Sequence, residues 1–147
     1  MAVNYIPKGY NTVTPYLIVE GADKVIDFVK QSFGAVEIER LPGPDGKIGH
    51  AEVRIGDSVI MLGEAGDHWK PMPCSIYLYV QDTDAAYKRA LEAGATSVME
   101  PADQFYGDRN AGVKDSSGNL WWIGTHIEDV SPEEIRRRAE ARGKASA

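Results

Sequence analysis

His50 and Glu52 are the residues of this 147-residue chain whose types and spacing best fit chemistry. They lie two positions apart in a segment, residues 48–55, that is typical of a β-strand, so their side chains leave the same face. An imidazole beside a carboxylate can transfer protons, and both groups bind divalent metals. They are therefore the candidate catalytic residues. Alternatively, they could bind a metal ion together with His68 or His126. The alternative is that His50 hydrogen-bonds a neighbouring hydroxyl or carboxylate inside a polar pocket.

Aromatic side chains are concentrated on single faces of other predicted strands. Because side chains alternate along a strand, every second residue shares a face. The residues concerned are Thr14, Tyr16 and Ile18 on one strand, Ser75, Tyr77 and Tyr79 on a second, and one of Trp121 and Trp122 on a third. Aromatic walls with a few polar groups are typical of small-molecule sites, and plain core packing is the alternative.

A polar loop predicted at residues 101–108 contains two adjacent aromatic residues, the first of them Phe105, and Arg109 follows it. An arginine behind two aromatic rings can hold a carboxylate or phosphate with its planar guanidinium. The alternative is a surface ion pair with Asp103 or Asp108.

The elements that must position these residues occur twice in the chain. The matches are Leu17 with Leu78 and Val19 with Val80 at a spacing of 61 residues, and Gly34-Ala35 with Gly94-Ala95 at a spacing of 60. Each copy is predicted to run strand, helix and three strands. The predicted boundaries are module one at about 12–62, a linker at 63–73, module two at about 74–126, and a charged C-terminal helix and tail at 131–147. A repeat of this length indicates two copies of one supersecondary unit.

Composition limits the classes of function. The net charge of −6 disfavours a nucleic-acid partner, which normally requires a basic surface. Cys74 is the single cysteine, so no intrachain disulfide can form and a reducing cytoplasm is expected. We find no stretch typical of a signal peptide and none of the roughly 20 apolar residues that span a bilayer, so no membrane partner is expected.

Two modules with these junctions resemble the vicinal oxygen chelate superfamily, the glyoxalase, bleomycin-resistance and extradiol-dioxygenase group, and are most similar to its PhnB-like branch. The stretches that carry the resemblance are Thr14-Pro15-Tyr16-Leu17, Pro42-Gly43-Pro44-Asp45-Gly46-Lys47, His50-Ala51-Glu52, Gly56-Asp57-Ser58, Tyr106-Gly107-Asp108-Arg109 and Thr125-His126 with Glu128-Asp129. The resemblance implies an α+β fold: one glyoxalase-like domain over residues 1–130, in which two βαβββ modules curl their sheets around a shared ligand cavity.

In that superfamily four side chains typically chelate a divalent metal, and the resemblance places those positions at Thr14, Glu52, Ser75 and Trp122. Only Glu52 is a strong ligand, since hydroxyls bind such metals weakly and indole has no lone pair to give. The sequence therefore predicts a protein that binds a small aromatic or amphipathic molecule without the usual metal. The predicted ligand-binding residues are Thr14, Tyr16, Glu52, Ser75, Tyr77, Phe105, Arg109 and Trp122.

The alternative is a metal-dependent lyase, isomerase or dioxygenase that uses His50 and Glu52 to bind Zn, Ni, Mn or Fe. In a third possibility, the same pair performs metal-free acid–base chemistry. A homodimer is expected, because exposed sheet edges tend to be buried across a two-fold axis. A buried Glu52 without a partner would be costly, so Glu52→Leu is expected to be neutral or stabilising while abolishing binding. A structural ion pair, for instance with Arg109, would reverse that expectation.

Overall fold

Two copies of a βαβββ unit follow each other in the computed structural model, which describes residues 2–146, with only the backbone of residues 145 and 146. The elements are β1 (Tyr16–Val19), α1 (Ala22–Phe33), β2 (Val36–Pro42), β3 (Ile48–Ile55), β4 (Ser58–Glu64), β5 (Ser75–Tyr79), α2 (Thr83–Glu92), β6 (Thr96–Asp103), β7 (Asp108–Lys114), β8 (Leu120–His126) and α3 (Pro132–Ser146). The predicted α+β fold is confirmed. Met1 and Ala147, the ends of the predicted domain and tail, lie outside the described residues.

Each module contributes one four-stranded sheet. The strand order is β1-β4-β3-β2 in sheet one and β5-β8-β7-β6 in sheet two. In each sheet the first strand of the module runs parallel to the last, and the other neighbours are antiparallel. The two sheets therefore repeat one topology, as the repeated sequence predicts.

Side chains alternate between a covered and an uncovered side of each sheet. On β1, Leu17 and Val19 are buried, whereas Tyr16 is 47% exposed. We call the uncovered side the open face. The register of the strands assigns Tyr16, Ile18, His50 and Glu52 to the open face of sheet one, and Ser75, Tyr77, Tyr79, Asp108, Asn110 and Trp122 to that of sheet two.

The core joins the two modules on their covered sides. α1 packs against α2 and against β3, and it buries the apolar stripe of Val25, Ile26, Phe28 and Val29. Trp121 of sheet two is 1% exposed and its ring lies 6.1 Å from that of Phe28 and 5.6 Å from that of Phe33. Because the apolar residues meet here, the open faces of both sheets point away from the core.

Two loops differ from the sequence expectation. The predicted loop at 101–108 is shorter, residues 104–107, because Ala102 and Asp103 extend β6 by pairing with β7. β4 continues through Gly63 and Glu64, since these residues pair with β1.

α3 is anchored to the 104–107 loop. Arg138 donates from Nη1 to the carbonyl of Phe105 at 3.0 Å and from Nη2 to Glu128 at 2.7 Å. The Arg142 guanidinium lies 4.7 Å from the centroid of the Phe105 ring, within the range of a cation–π contact. The charged helix therefore holds a loop of module two. Across residues 2–146, no helix combines the length and apolar composition that crossing a membrane requires.

Candidate functional site

Four polar side chains form a hydrogen-bonded chain on the open face of sheet one. Glu52, 7% exposed, accepts one bond from the Tyr10 hydroxyl and one from His50 Nε2 at 2.7 Å. The other imidazole nitrogen, His50 Nδ1, lies 3.0 Å from Tyr16 Oη. β3 supplies the acid and the imidazole two residues apart, β1 supplies Tyr16, and the segment before β1 supplies Tyr10.

The charge on Glu52 fixes the direction of these bonds. The hydrogen bond from His50, and to a smaller extent the one from Tyr10, holds the pKa of Glu52 below its ordinary value. The bond to Glu52 in turn raises the pKa of the Tyr10 hydroxyl. An ionised carboxylate only accepts, so His50 Nε2 carries a proton. When the imidazole is neutral, Nδ1 is then the acceptor and Tyr16 donates to it. The arrangement connects Glu52 to Tyr16 through one imidazole.

A cavity of about 460 Å³ lies beside this chain, and we call it cavity one. Its lining residues are Tyr16, Ile18, Gly49, Gly63, Glu64 and Trp69. Part of its wall is bare backbone: a Cβ added at Gly63 would stand 2.9 Å from the Gly49 carbonyl and 3.4 Å from Tyr16 Oη. Trp69 is 69% exposed at the same cavity. Backbone at Gly49 and Gly63 and an exposed indole ring therefore line the same cavity, a combination that suits a small aromatic ligand.

A second polar cluster lies on the open face of sheet two. Asp108, 4% exposed, accepts bonds at Oδ2 from the hydroxyls of Tyr77 (2.8 Å) and Tyr79 (2.9 Å). His126 Nδ1 lies 2.9 Å from its Oδ1. Burial raises the pKa of Asp108, but the bonds from His126, Tyr77 and Tyr79 outweigh it and hold the value below the ordinary one. Burial is also the main cause of the raised pKa of Tyr77.

A cavity of about 320 Å³, cavity two, adjoins this cluster. Its lining residues are Tyr77, Met99, Gln104, Tyr106, Asn110 and Trp122. Trp122 donates from Nε1 to Ser75 Oγ at 3.0 Å. Its ring lies against Gly112, where an added Cβ would stand 2.5 Å from Cζ3. The indole therefore lies flat on the sheet because β7 has no side chain beneath it.

The two sites are built on equivalent positions of the repeat. Tyr77 follows Tyr16 by 61 residues and Asn110 follows His50 by 60. Asn110 Nδ2 donates to Tyr77 Oη at 3.0 Å, so each module bonds the tyrosine of its first strand to a polar residue of its third. Gly124 also lies against Tyr77 as Gly63 lies against Tyr16. The repeat spacing was the signal that would have identified Asn110 from the sequence.

The predicted ligand-binding residues do not line one shared cavity between the modules: the structure divides some of them between two cavities on different sheets and leaves others apart. Tyr16 lines cavity one with Glu52 behind it, and Tyr77 and Trp122 line cavity two with Ser75 beside them. Thr14 precedes β1 instead of lying on it as predicted; it donates to the Asn11 carbonyl at 3.3 Å and lines neither cavity.

Arg109 and Phe105 also lie outside the two cavities. Arg109 leaves the face of β7 opposite Asn110 and binds Asp84 through Nε (2.8 Å) and Asp103 through Nη1 (3.0 Å). These bonds raise the pKa of Arg109 and occupy its guanidinium. The Phe105 ring contacts the ring of its neighbour Tyr106 on one edge and lies under the guanidinium of Arg142.

Sequence reasoning gave no role to Tyr10, Asn110 or Glu64, and it considered Asp108 only as an ion-pair partner of Arg109, which binds Asp84 and Asp103 instead. Glu64 accepts from the backbone N–H groups of Gly21 (2.7 Å) and Ala22 (3.4 Å), where α1 begins. A carboxylate at a helix N-terminus is favourable because the free N–H groups there are unpaired. Nothing in the local pattern near Tyr10 or Glu64 predicts these contacts, which join distant segments.

The residues present do not fit the divalent metal that the fold family implies. Both oxygens of Glu52 accept hydrogen bonds, and both nitrogens of His50 are engaged. His68 and His126 do not join them: within residues 2–146 no group of three or more His, Cys, Asp or Glu side chains is placed to hold a metal ion. His126 instead bonds Asp108 and, through Nε2 at 2.8 Å, Asp129.

Comparison with known proteins places this geometry in a family. A model of the glyoxalase/bleomycin resistance protein/dioxygenase superfamily matches residues 9–123. The uncharacterised proteins Mb0911c of Mycobacterium bovis and Rv0887c of Mycobacterium tuberculosis are each 38% identical to this chain over 154 residues. Both matches cover 97% of this chain, with 99% of the former protein and 88% of the latter.

Solved structures share the fold. TioX from Micromonospora sp. ML1 matches with a TM-score of 0.68 and 25% identity, covering 80% of this chain and 99% of TioX. TnmS3, an antibiotic binding protein from Streptomyces sp. CB03234, matches with a TM-score of 0.63 and 22% identity, covering 86% of this chain and 98% of TnmS3. The family model matches residues 9–123, and the structure has the repeated βαβββ modules. The chain therefore belongs to the glyoxalase/bleomycin resistance protein/dioxygenase superfamily.

Proposed function

We propose that this protein binds a small, planar aromatic or amphipathic molecule on the open faces of its sheets, without a metal. Cavity one carries the proposal: its bare-backbone wall and Trp69 offer two surfaces for a flat ring, and Tyr16 offers a polar contact. The negative charges of Glu52 and Glu64 nearby favour a ligand that is cationic or donates hydrogen bonds. The antibiotic-binding description of TnmS3 supports the same class of function.

Binding without a metal is supported by the way the candidate ligands are used. The Tyr10 hydroxyl and the His50 imidazole already satisfy the carboxylate of Glu52. A metal would have to displace both. We propose further that the protein acts in the cytoplasm, since its single cysteine, Cys74, is unpaired and burial raises the pKa of its thiol. Sequence stretches such as His50-Ala51-Glu52 and Tyr106-Gly107-Asp108-Arg109 support membership of the PhnB-like branch of the superfamily.

A homodimer would complete both cavities. Each chain presents two different cavities, and exposed aromatic residues lie near them: Trp69 (69%) lines cavity one, and Tyr79 (67%) lies on the open face that carries cavity two. A two-fold axis would place sheet one of each chain opposite sheet two of the other, so that one contact closes two identical sites. Light scattering after size exclusion should give twice the chain mass, and a monomer at micromolar concentration would contradict the proposal.

A thermal-shift screen tests the binding function. Protein dialysed against EDTA is heated with cationic antibiotics and planar aromatic metabolites. A ligand at about 100 times its Kd stabilises by about 2.7 kcal/mol, which raises the Tm by roughly 8 °C in a chain of this size. Trp69→Ala should remove the shift and the exposed control Tyr5→Ala should keep it. The proposal is wrong if no compound raises the Tm while divalent metals do.

The chain from Glu52 through His50 to Tyr16 supports a second candidate, metal-free acid–base catalysis. Tyr16 Oη would take a proton from a ligand while its own proton moves to His50 Nδ1, and Glu52 would balance the imidazolium charge. Incubation with hydroxyacetone in D₂O tests this. Deuterium at the carbon next to the carbonyl, lost in Tyr16→Phe, would support catalysis; exchange no faster than in buffer would refute it for this substrate class.

A further inference from the structure

Cavity one has a charged neighbour at the edge of sheet one where β3 begins and β4 ends. This neighbour, which we call cavity three, has a volume of about 480 Å³. Glu64 lines both cavities, and the adjacent residues Ile48 and Gly49 line cavity three and cavity one, respectively. The two cavities therefore adjoin, and a group attached to a ring in cavity one by a short linker can reach cavity three.

Cavity three is lined by two cationic and two anionic side chains. The cations, Arg40 and Lys47, belong to the β2–β3 hairpin, whereas Asp23 lies in the first turn of α1 and Glu64 ends β4. A ligand group with a single charge would meet like charges here as well as opposite ones. A group that carries both charges is complementary to the cavity, because each charge finds an opposite one.

Several of these charged groups have bonding capacity left. The Lys47 ammonium and the Asp23 carboxylate form no hydrogen bond or ion pair with the part of the chain that the structure describes. Arg40 uses Nη2 to bind Glu37 at 2.8 Å. That bond is the main cause of the raised pKa of Arg40, to which Asp23 contributes by its charge alone. Asp23 and Arg40 are thus near enough for a charge effect and too far apart to pair.

Glu64 keeps one carboxylate oxygen only weakly engaged. Its Oε2 accepts from the Gly21 N–H at 2.7 Å, but its Oε1 lies 3.4 Å from the Ala22 nitrogen, beyond the usual hydrogen-bond distance. The short bond holds the carboxylate in place, and Oε1 can still accept a bond from a ligand. Because the half-buried Glu64 lines both cavities, an ammonium bound to it would lie between cavity one and cavity three.

We propose that cavity three binds the charged head of a zwitterionic aromatic ligand whose ring lies in cavity one. The ligand class is that of an aromatic amino acid, or a derivative that keeps both the ammonium and the carboxylate. Glu64 and Asp23 bind the ammonium, and Lys47 and Arg40 bind the carboxylate. This inference rests on the proposed function, because it keeps the aromatic ring in cavity one and adds the charged group that the ring carries.

The test compares three indoles that differ in their charges. L-Tryptophan carries both charges, tryptamine lacks the carboxylate, and indole-3-propionate lacks the ammonium. Calorimetric titration of the full chain at pH 7 should give a Kd for L-tryptophan at least about fivefold below that of either analogue. This factor corresponds to about 1 kcal/mol, the upper end of the range for an exposed ion pair.

Variants that remove one charge assign the two ends of the ligand. Lys47→Met should raise the Kd of L-tryptophan to about that of tryptamine and leave the Kd of tryptamine nearly unchanged. Glu64→Gln, whose amide oxygen can still accept from the Gly21 N–H, should weaken L-tryptophan and tryptamine but not indole-3-propionate. If Glu64→Gln lowers the Tm, Asp23→Asn in the exposed first turn of α1 tests the same end. The matched control is Lys88→Met, since Lys88 is exposed on α2 and lines none of the three cavities. It should alter no Kd.

The outcomes separate this inference from the proposed function. Equal Kd values for the three indoles, or a preference for L-tryptophan that survives Lys47→Met, overturn the inference, while binding of the ring leaves the proposed function standing. The same holds if no indole binds but a compound of the thermal-shift screen does. If no compound of either set binds, the proposed function is overturned as well.

Discussion

Replacing Glu52 by leucine tests how the carboxylate is held. The sequence alone predicts a neutral or stabilising effect, on the premise that Glu52 has no partner. The structure reverses the sign, because Glu52 accepts bonds from Tyr10 and His50. In Glu52→Leu both donors lose their acceptor, and the leucine gains only the burial of a few apolar atoms.

The magnitude follows from the exposure of the two donors. A donor left unpaired in a buried site costs about 1–3 kcal/mol. The His50 side chain is 28% exposed and Tyr10 is half-buried, so water recovers part of each cost. We expect a net loss of about 1–3 kcal/mol, which lowers the Tm by roughly 3–9 °C in a chain of this size.

The assay is thermal unfolding followed by circular dichroism at pH 7. Glu100→Leu is the matched control, since Glu100 is exposed on β6, and its Tm should change little. Tyr10→Phe should cost stability in the wild type and almost none in the Glu52→Leu background, because the two residues share one bond. A Tm for Glu52→Leu equal to or above that of the wild type would refute the assignment.

Three further predictions concern sheet two and α3. Asp108 and then Asp129 raise the pKa of His126 above its ordinary value, so its contribution to stability is complete below about pH 6.5 and is lost as the pH rises through the raised value. The Tm of the wild type should therefore fall more steeply than that of His126→Asn between pH 6 and 9, and parallel curves would contradict this. Gly112→Ala should cost about 1–3 kcal/mol of unfolding free energy, because its Cβ would meet the Trp122 ring at 2.5 Å; a wild-type near-ultraviolet spectrum and Tm would be inconsistent with that packing. Arg138→Ala should speed amide hydrogen exchange at residues 104–107, since it removes the bond to the Phe105 carbonyl, whereas unchanged exchange would mean that α3 does not hold the loop.

The fold was predictable from the sequence because its information is local and repeated. Gly34 ends α1 with a φ of 67°, and its backbone N–H bonds the Lys30 carbonyl, as the glycine after the apolar stripe predicts. The same signals recur about 60 residues later, so one module supports the assignment of the other. Strand alternation predicted that Trp121 and Trp122 lie on opposite faces. In the structure Trp121 is buried in the core and Trp122 lies on the open face.

The site was less predictable because its contacts join distant segments. The face shared by His50 and Glu52 followed from strand alternation, and the structure adds their direct bond. Tyr10 lies 42 residues from Glu52 in sequence, and no pattern near it indicates a partner. From the sequence, Arg109 could either bind a ligand or form an ion pair. In the structure it binds Asp84 of α2, a partner that the local sequence does not indicate.

Binding of a planar aromatic cation by metal-free protein is the most direct test of the central claim. Fluorescence anisotropy of proflavine is measured against protein dialysed with EDTA, for the wild type, Trp69→Ala and the control Tyr5→Ala. We predict saturable binding by the wild type and by Tyr5→Ala, unchanged when divalent metal is restored, and binding weakened at least about tenfold by Trp69→Ala. No saturable binding, binding that requires a divalent metal, or equal binding by Trp69→Ala would contradict the claim that cavity one is a metal-independent ligand site.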